Sequence, residues 1–539
     1  MKLNLKWVSE TIGEDYKNWT NGAVIRIEAQ TGTGKTEFIK TKLLEHAINN
    51  GKRILYICNR INLKRQMKID VARKQNIEMN YNEFDVLDSL EEIGNITITS
   101  YQKIQYYLLN ERHQLNYNDV YTRYLNFDYI VLDEAHYIVQ DASFANETVF
   151  FYRDYLKQCN KNCITILVSA TMDYIKEPLL EEIYADSERK IYNYTTGIDY
   201  SYINAYYFNK YEDIITTINN DNSGNKWLIF INNLNKAKEI NGKIKGSKFI
   251  CSEYNQYASQ MDKDELDNII INNRFECKCL IATKVIDNGI NINDSLLTNI
   301  VIIALDKVDF IQMLGRKRID IKEAQNINLY IMARYKKTFS TLIYDNYNPA
   351  ESLVGLWREN RNKFDRRFDT KIDELGKYKN LFYKDKDGWQ LNEIGYLIML
   401  KHKMFCEYML KQFEEMGEDA FICEQLKWIN LKYEKENWIK EVINIEKVNN
   451  LEEYLESVIG KRLYKNEQKE LIDIIGLKDK LGRIQKSIRQ FNAYFEANRI
   501  PYIIISKTSS RLINEGQKKS IRFWEVISID NDLEIPQNL

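Results

Sequence analysis

The sequence predicts an α/β fold: two tandem parallel-sheet domains followed by a mainly helical carboxyl-terminal region. Three observations lead there. Short apolar runs alternate with amphipathic stretches through the first third, a second series of the same kind follows, and beyond residue 346 the apolar spacing becomes helical. At about 150 residues per domain, 539 residues make three or four domains. Apolar residues at 44% and charged residues at 28% give a globular balance. Lysine plus arginine total 76 against 77 acidic residues, a net charge of -1, which excludes a strongly basic tail but not a local basic stripe.

In the first series, strands are expected at 24–29, 53–58, 95–99, 127–132 and 164–168, all rich in valine and isoleucine as buried parallel strands are. The stretch 35–49 is helical, with Phe38, Ile39, Leu43, Leu44 and Ala47 on one face. This first domain is taken as residues 1–190. The second, 191–345, has strands expected at 200–208, 226–231, 248–251, 278–282, 299–304 and 327–333. A helical accessory region, 346–440, follows, with apolar residues at helical spacing from 388 to 431. The last section, 441–539, has helical stretches at 451–459, 466–475 and 480–498, then strands at 502–506 and 520–527 around the polar segment TSSRLINEGQKK. A winged-helix arrangement and a small α+β packing domain both fit it.

Eight cysteines, irregularly spaced, read as free thiols in a reducing cytoplasm. The start, MKLNLKWVSETIGEDY, lacks the apolar core of a signal peptide, and the longest apolar runs are too short to span a membrane, so no membrane partner is expected. The pairs Cys159/Cys163 and Cys277/Cys279 are too far apart in sequence to be promoted to a metal site, and the four histidines form no paired ligand motif.

The sharpest signal is Ala29-Gln30-Thr31-Gly32-Thr33-Gly34-Lys35-Thr36, between an expected strand and an expected helix, the context a P-loop needs. Gly32, Thr33 and Gly34 turn backbone amides toward phosphate, Lys35 reaches the β/γ phosphates of ATP, and Thr36 offers a hydroxyl to Mg2+. Ala29 stands where the general pattern has glycine. Asp133-Glu134-Ala135-His136 follows the expected strand 127–132. Asp133 is the expected second Mg2+ ligand, and Glu134 the group that orients or deprotonates the attacking water. Tyr16 and Trp19 precede the P-loop and either stack on adenine or form an aromatic cluster over the first sheet.

Together these segments resemble a superfamily 2 helicase of the DEAD/DEAH-box type, over roughly residues 10–335. AQTGTGKT resembles the first motif and DEAH the second. Ser169-Ala170-Thr171 resembles the third, and TKVIDNGIN (283–291), with Asp287 and Gly289, resembles the fifth. Gln312-Met313-Leu314-Gly315-Arg316-Lys317-Arg318 resembles the sixth. The resemblance implies two tandem RecA-like motor domains with ATP in the cleft between them. It further implies that Gln312, Arg316 and Arg318 face the phosphates, and that Ser169, Thr171, His136, Asp287 and Gly289 couple hydrolysis to movement. One departure matters: the usual final arginine of the sixth motif is Ile319 here, with arginine one place earlier at Arg318. In style the motif looks closest to phage and herpesvirus-type origin-binding helicases.

The same resemblance places Arg60, Thr99, Ser100, Gln102 and Thr283 against a nucleic-acid backbone, where short hydroxyl and amide donors suit sequence-independent phosphate contacts. Arg511, Lys518 and Lys519, in the carboxyl-terminal polar segment, are candidate duplex contacts. The expectation is an ATP-dependent helicase or translocase with DNA preferred over RNA, serving phage or mobile-element replication, with a replication or defence protein as partner. A DNA-binding remodeller or defence factor without robust unwinding, and an RNA helicase, are the alternatives.

Overall fold

The computed structural model describes residues 1–59, 61–77, 84–113, 123–140, 142, 148–156, 162–172, 190–252, 256–283, 291–385, 387–439, 445–478, 483–498, 500–514 and 517–528. The chain forms two compact units, Met1–Ile439 and Lys440–Leu539.

The first unit holds two RecA-like sheets. Strands β1 (Val24–Glu28), β2 (Ile54–Cys58), β3 (Glu92–Ile93), β4 (Ile96–Ser100), β5 (Tyr129–Asp133), β6 (Ile164–Ser169) and β7 (Ile191–Thr195) lie in the order β3-β4-β2-β5-β6-β1-β7. All pairs are parallel except β3 with β4. The central β2, β5 and β6 are buried along their whole length, which is why they read as unbroken apolar runs. Edge strand β7, IYNYT, alternates exposed and half-buried positions and carries no such run. It pairs with β1, so the chain leaves the first sheet only after Thr195.

The second sheet comprises β8 (Ile203–Phe208), β9 (Lys226–Ile231), β10 (Ser247–Ile250), β11 (Cys279–Ala282), β12 (Leu297–Ile303) and β13 (Ile327–Met332), ordered β10-β11-β9-β12-β13-β8 and parallel throughout. In both sheets the functional segments leave the carboxyl ends of central strands. Parallel sheets carry their ligand sites at that edge.

The region after β13 is largely helical, and it also contains a hairpin, β14 (Phe382–Asp385) with β15 (Gly388–Leu391). Helix Glu393–Met416 is capped by Asn392, which accepts from the Gly395 amide at 3.0 Å and donates to the Ala142 carbonyl at 2.7 Å. A Cβ on Gly395 would stand 2.6 Å from that carbonyl, so only glycine permits the approach. Ile394 and Ile398 pack into the core around the first sheet; Ile422, Leu426 and Ile429 pack into that around the second.

The second unit has helices Ile445–Ser457, Lys465–Ile475 and Ile488–Ala497, and a two-stranded antiparallel ribbon of β16 (Tyr502–Asn514) and β17 (Gln517–Ser528). Its core gathers Leu455, Leu471, Phe491, Phe495, Ile504 and Val526. The ribbon corrects the sequence expectation of a long polar loop: Arg511 pairs with Lys519 and Leu512 with Lys518 along its strands. Backbone pairing sustains such a ribbon, so polar composition does not end it. The side chains of Arg511, Lys518 and Lys519 lie outside the described residues. Among the described residues no helix is long and apolar enough to cross a membrane.

Candidate active site

Between β1 and helix Lys35–Phe38 the P-loop turns through Gly32 (φ 92°) and Gly34 (φ 84°), left-handed conformations that glycine adopts without strain. The Thr33 hydroxyl donates to the Gln30 carbonyl at 2.7 Å. Lys35 is buried, its Nζ donating to the Ala29 carbonyl at 3.2 Å. Burial lowers the Lys35 pKa, while the carboxylates of Glu134 and Asp133 act in the opposite sense. The buried Thr31 hydroxyl has no hydrogen-bond partner. A glycine-turned loop with a buried ammonium and an unsatisfied hydroxyl fits a triphosphate.

Asp133 ends β5 and is buried. It accepts from the Tyr56 hydroxyl, and its Oδ1 accepts from the Glu134 amide at 3.1 Å. The Tyr101 hydroxyl donates to its carbonyl at 2.9 Å. Burial and the adjacent Glu134 charge raise the Asp133 pKa. Glu134 is half-buried, and its desolvation opposes ionisation, but Lys35, His136 and Arg316 hold its pKa low and keep it charged. Its φ of 49° is unusual for a non-glycine residue. His136 Nδ1 lies 3.4 Å from Glu134 Oε2 and 3.1 Å from Ser169 Oγ. Ser169 Oγ lies 3.3 Å from Thr171 Oγ1 and accepts from the Thr171 amide at 3.0 Å. Burial pushes the His136 pKa down to about 4, so the ring is neutral near pH 7. Hydrogen bonds thus join the second motif to the third from His136 through Ser169 to Thr171, with Glu134 beside the ring.

The second sheet meets this line through helix Lys307–Leu314, whose N-cap Asp306 accepts from the amides of Val308 and Asp309. Gln312 Nε2 donates across the cleft to Glu134 Oε2 at 3.1 Å. Arg316, 3% exposed, donates through Nη2 to Gln312 Oε1 at 2.5 Å and through Nε to the Gln312 carbonyl at 3.0 Å. Gln140 Nε2 donates to Asp309 Oδ1 at 2.7 Å, a second contact between the domains. A Cβ on Gly315 would fall 2.4 Å from Thr31 Oγ1, so the glycine of the sixth motif is what lets it lie on the P-loop. Arg318 donates to Asn291 Oδ1; burial and the neighbouring Arg316 bring its pKa down to about 10, leaving it charged at neutral pH. Ile319 presents backbone to the P-loop: its carbonyl would stand 3.3 Å from a Cβ on Gly32.

Lys35, Asp133, Glu134, His136, Gln312, Arg316 and Arg318 therefore gather at one cleft. Other expected residues fare differently. Tyr16 and Trp19 are buried and make edge-on contacts with each other and with Phe38; Trp19 Nε1 also donates to the Tyr194 hydroxyl at 3.3 Å. They are core, and the adenine-stacking option is corrected accordingly. The aromatic ring at the P-loop is Trp7, 3.1 Å from a Cβ on Gly34, held there by the Val8 amide donating to the Thr33 carbonyl at 2.9 Å. A lone tryptophan 25 residues before Gly32 carried no motif, and so it escaped the sequence reading. Thr99 is 1% exposed and faces the core, which leaves half-buried Ser100 and exposed Gln102 at that strand end. Gln102 Nε2 donates to the Asn59 carbonyl at 2.7 Å. Thr283 follows β11 and is largely buried. Arg60, Asp287 and Gly289 lie outside the described residues. Among the described residues no cluster of His, Cys, Asp and Glu could by itself hold a metal ion.

Two family models match the chain: "DEAD/DEAH box helicase" over residues 14–177 and "Helicase conserved C-terminal domain" over 209–319, together about half of it. No curated protein sequence matches. Similar solved structures include S. cerevisiae Dbp5 bound to RNA and ADP BeF3, with 15% identity, 59% of this chain and 81% of that one covered, and a TM-score of 0.41. Mss116p bound to ssRNA and AMP-PNP has 14% identity, 76% and 90% coverage, and a TM-score of 0.44. The Escherichia coli DEAH/RHA helicase HrpB has 11% identity, 61% and 43% coverage, and a TM-score of 0.40. Likenesses this distant concern the fold alone. The matched models are general helicase domains whose descriptions name neither DNA nor an origin-binding type. The expected closeness to phage and herpesvirus-type origin-binding helicases, and the DNA preference drawn from it, is therefore corrected.

Proposed function

Because its two matched domains make this chain a member of the DEAD/DEAH box helicase family, an ATP-hydrolysing and nucleic-acid-dependent enzyme, we propose that the cleft built by Lys35, Glu134, Gln312 and Arg316 powers movement along, or separation of, nucleic-acid strands. The observation that carries this reading is the 3.1 Å hydrogen bond from Gln312 to Glu134. It joins the two motor domains at the carboxylate nearest the chemistry, so domain closure and hydrolysis depend on each other.

In this reading the P-loop amides and Lys35 hold the triphosphate, and Glu134 orients and deprotonates the attacking water. Thr36 and Asp133 would hold magnesium, which supplies charge neutralisation on the β- and γ-phosphates. Gln312 fixes the Glu134 carboxylate, and Arg316 places a guanidinium where negative charge builds during transfer. Arg318 adds a second positive charge beside it. The line through His136, Ser169 and Thr171 reports the state of Glu134 to the end of β6. Ser100, Gln102 and Thr283 offer backbone contacts to the strand, and the carboxyl-terminal unit, with basic residues along its ribbon, adds further ones.

ATP turnover and strand separation, measured side by side on forked RNA, forked DNA and a hybrid fork, test the reading. RNA takes the place of DNA as the first polymer to try. Turnover should need magnesium and rise on adding nucleic acid; turnover indifferent to every polymer would overturn the motor assignment.

A further inference from the structure

A cavity of about 220 Å³ lies between the motor domains beside the ATP cleft. Its lining includes Gln66, Asp70 and Arg73 from helix Ile61–Lys74 of the first domain, and Asn273, Asn291 and Arg318 from the second. We propose that this cavity is the exit vestibule for inorganic phosphate, the anion that hydrolysis releases. The proposal rests on the ATP-hydrolysing reading above.

Position argues first. Along the sheet the order β1-β6-β5-β2 runs from the P-loop strand, past the strand delivering Asp133 and Glu134, to the strand that feeds helix Ile61–Lys74. Trp7 and the amino-terminal segment lie toward the opposite edge, where the Lys6 amide donates to the Thr196 carbonyl beyond β7. A nucleotide held at Lys35 with its cleaved phosphate at Glu134 therefore has the cavity beyond that phosphate, away from the nucleoside. Arg318 joins the two spaces: it interacts electrostatically with Glu134 and Asp133 on one side and lines the cavity on the other.

Chemistry argues second. Arg318 stands at the inner end and exposed Arg73 farther out, so an anion passes from one guanidinium toward another. Between them Gln66, Asn273 and Asn291 are neutral amides able to donate to phosphate oxygens. Among the described residues the one carboxylate in the lining, Asp70, is held by Lys40 at 2.6 Å, which cancels its repulsion of an anion. Near the mouth the Asp70 side chain is 42% exposed and Ile271 41% exposed, so the cavity reaches solvent. The Gln66 Nε2 to Asn273 Oδ1 bond, at 3.1 Å, crosses between the domains at its wall. Phosphate can thus leave while the P-loop still holds the diphosphate and the Gln312–Glu134 contact stays closed.

The test uses the full chain with saturating ATP and single-stranded RNA or DNA, whichever stimulates turnover. Cleavage is followed by quenched flow and free phosphate by a fluorescent phosphate-binding sensor. Arg73→Glu should slow phosphate appearance about tenfold relative to cleavage; Arg73→Lys should restore it, and inhibition by added inorganic phosphate should weaken in Arg73→Glu. Phosphate appearance that keeps pace with cleavage in Arg73→Glu overturns the proposal. So does slowed cleavage or altered discrimination among nucleoside triphosphates, which would place Arg73 at the reaction or at the nucleoside instead. Absence of hydrolysis in the unmutated chain would overturn the functional reading itself, a result distinct from these.

Discussion

The two motor sheets are built alike and equipped differently. The first presents a buried ammonium, one buried and one half-buried carboxylate, and a neutral imidazole at the ends of β1 and β5. The second brings an amide and two guanidinium groups from a single helix and its turn. Only the first half holds the water-orienting base, and only the second holds the guanidinium groups that face it. The bonds described across the cleft, Gln312 to Glu134, Gln140 to Asp309 and Gln66 to Asn273, all use neutral amides as donors. Breaking a buried ion pair costs several kcal/mol, about 3–5, whereas an amide bond contributes roughly 1 kcal/mol, somewhat more to a charged acceptor. A joint made from amides can open and reclose in every cycle; a joint made from buried ion pairs would hold shut.

The comparison can be broken most sharply at its catalytic ends. Glu134→Gln should leave nucleotide affinity near its original value and lower single-turnover hydrolysis by about 10³-fold. Arg316→Ala should cost about 10²-fold in the same assay, and more than Arg318→Ala, because Arg316 alone is fastened to the Gln312 side chain. Equal losses at the two arginines would show that the displaced residue does the principal work. Gln312→Ala removes the amide joint while keeping every charge. It should slow hydrolysis about tenfold, which corresponds to one hydrogen bond to a charged group, and domain closure followed by a cross-cleft fluorescence pair should weaken in parallel. The smallest effect concerns pH. His136 is buried with its pKa lowered to about 4, so the unfolded chain takes up its proton first as pH falls from about 6.5. That uptake removes stability progressively down to about pH 4 and no further, about 3 kcal/mol in all. In His136→Asn the pH dependence of Tm over that window should flatten; an unchanged slope would mean that other groups set it.

What could be read from the sequence was chemistry carried in contiguous strings. Ala29–Thr36, the DEAH segment and Gln312–Arg318 each fold as one turn or helix end, so their spacing along the chain is their spacing in space. The cores of β2, β5, β9 and β12 showed as apolar runs because both faces are covered. Less was visible wherever a residue acts through something distant. Trp7 matters through Gly34, and Gln312 through a partner 178 residues away. Tyr16 and Trp19 left both options open, ligand contact or aromatic cluster, because burial against Phe38 is a tertiary fact. The hairpin of β16 and β17 was expected, but its far half was read as a polar loop because a two-stranded element needs no apolar face of its own to pair.

The helical region behind the motors also changes where the protein can be divided. A fragment ending just after β13 keeps every motor motif, yet it loses Ile394 and Ile398 from one core and Ile422, Leu426 and Ile429 from the other. At about 2 kcal/mol per buried aliphatic side chain, that bares surface worth roughly 10 kcal/mol, as much as a whole domain usually has in reserve. The minimal engine that can be expressed alone is therefore set by those five side chains and not by the last motif. Its natural cut lies after Ile439, where the first compact unit ends.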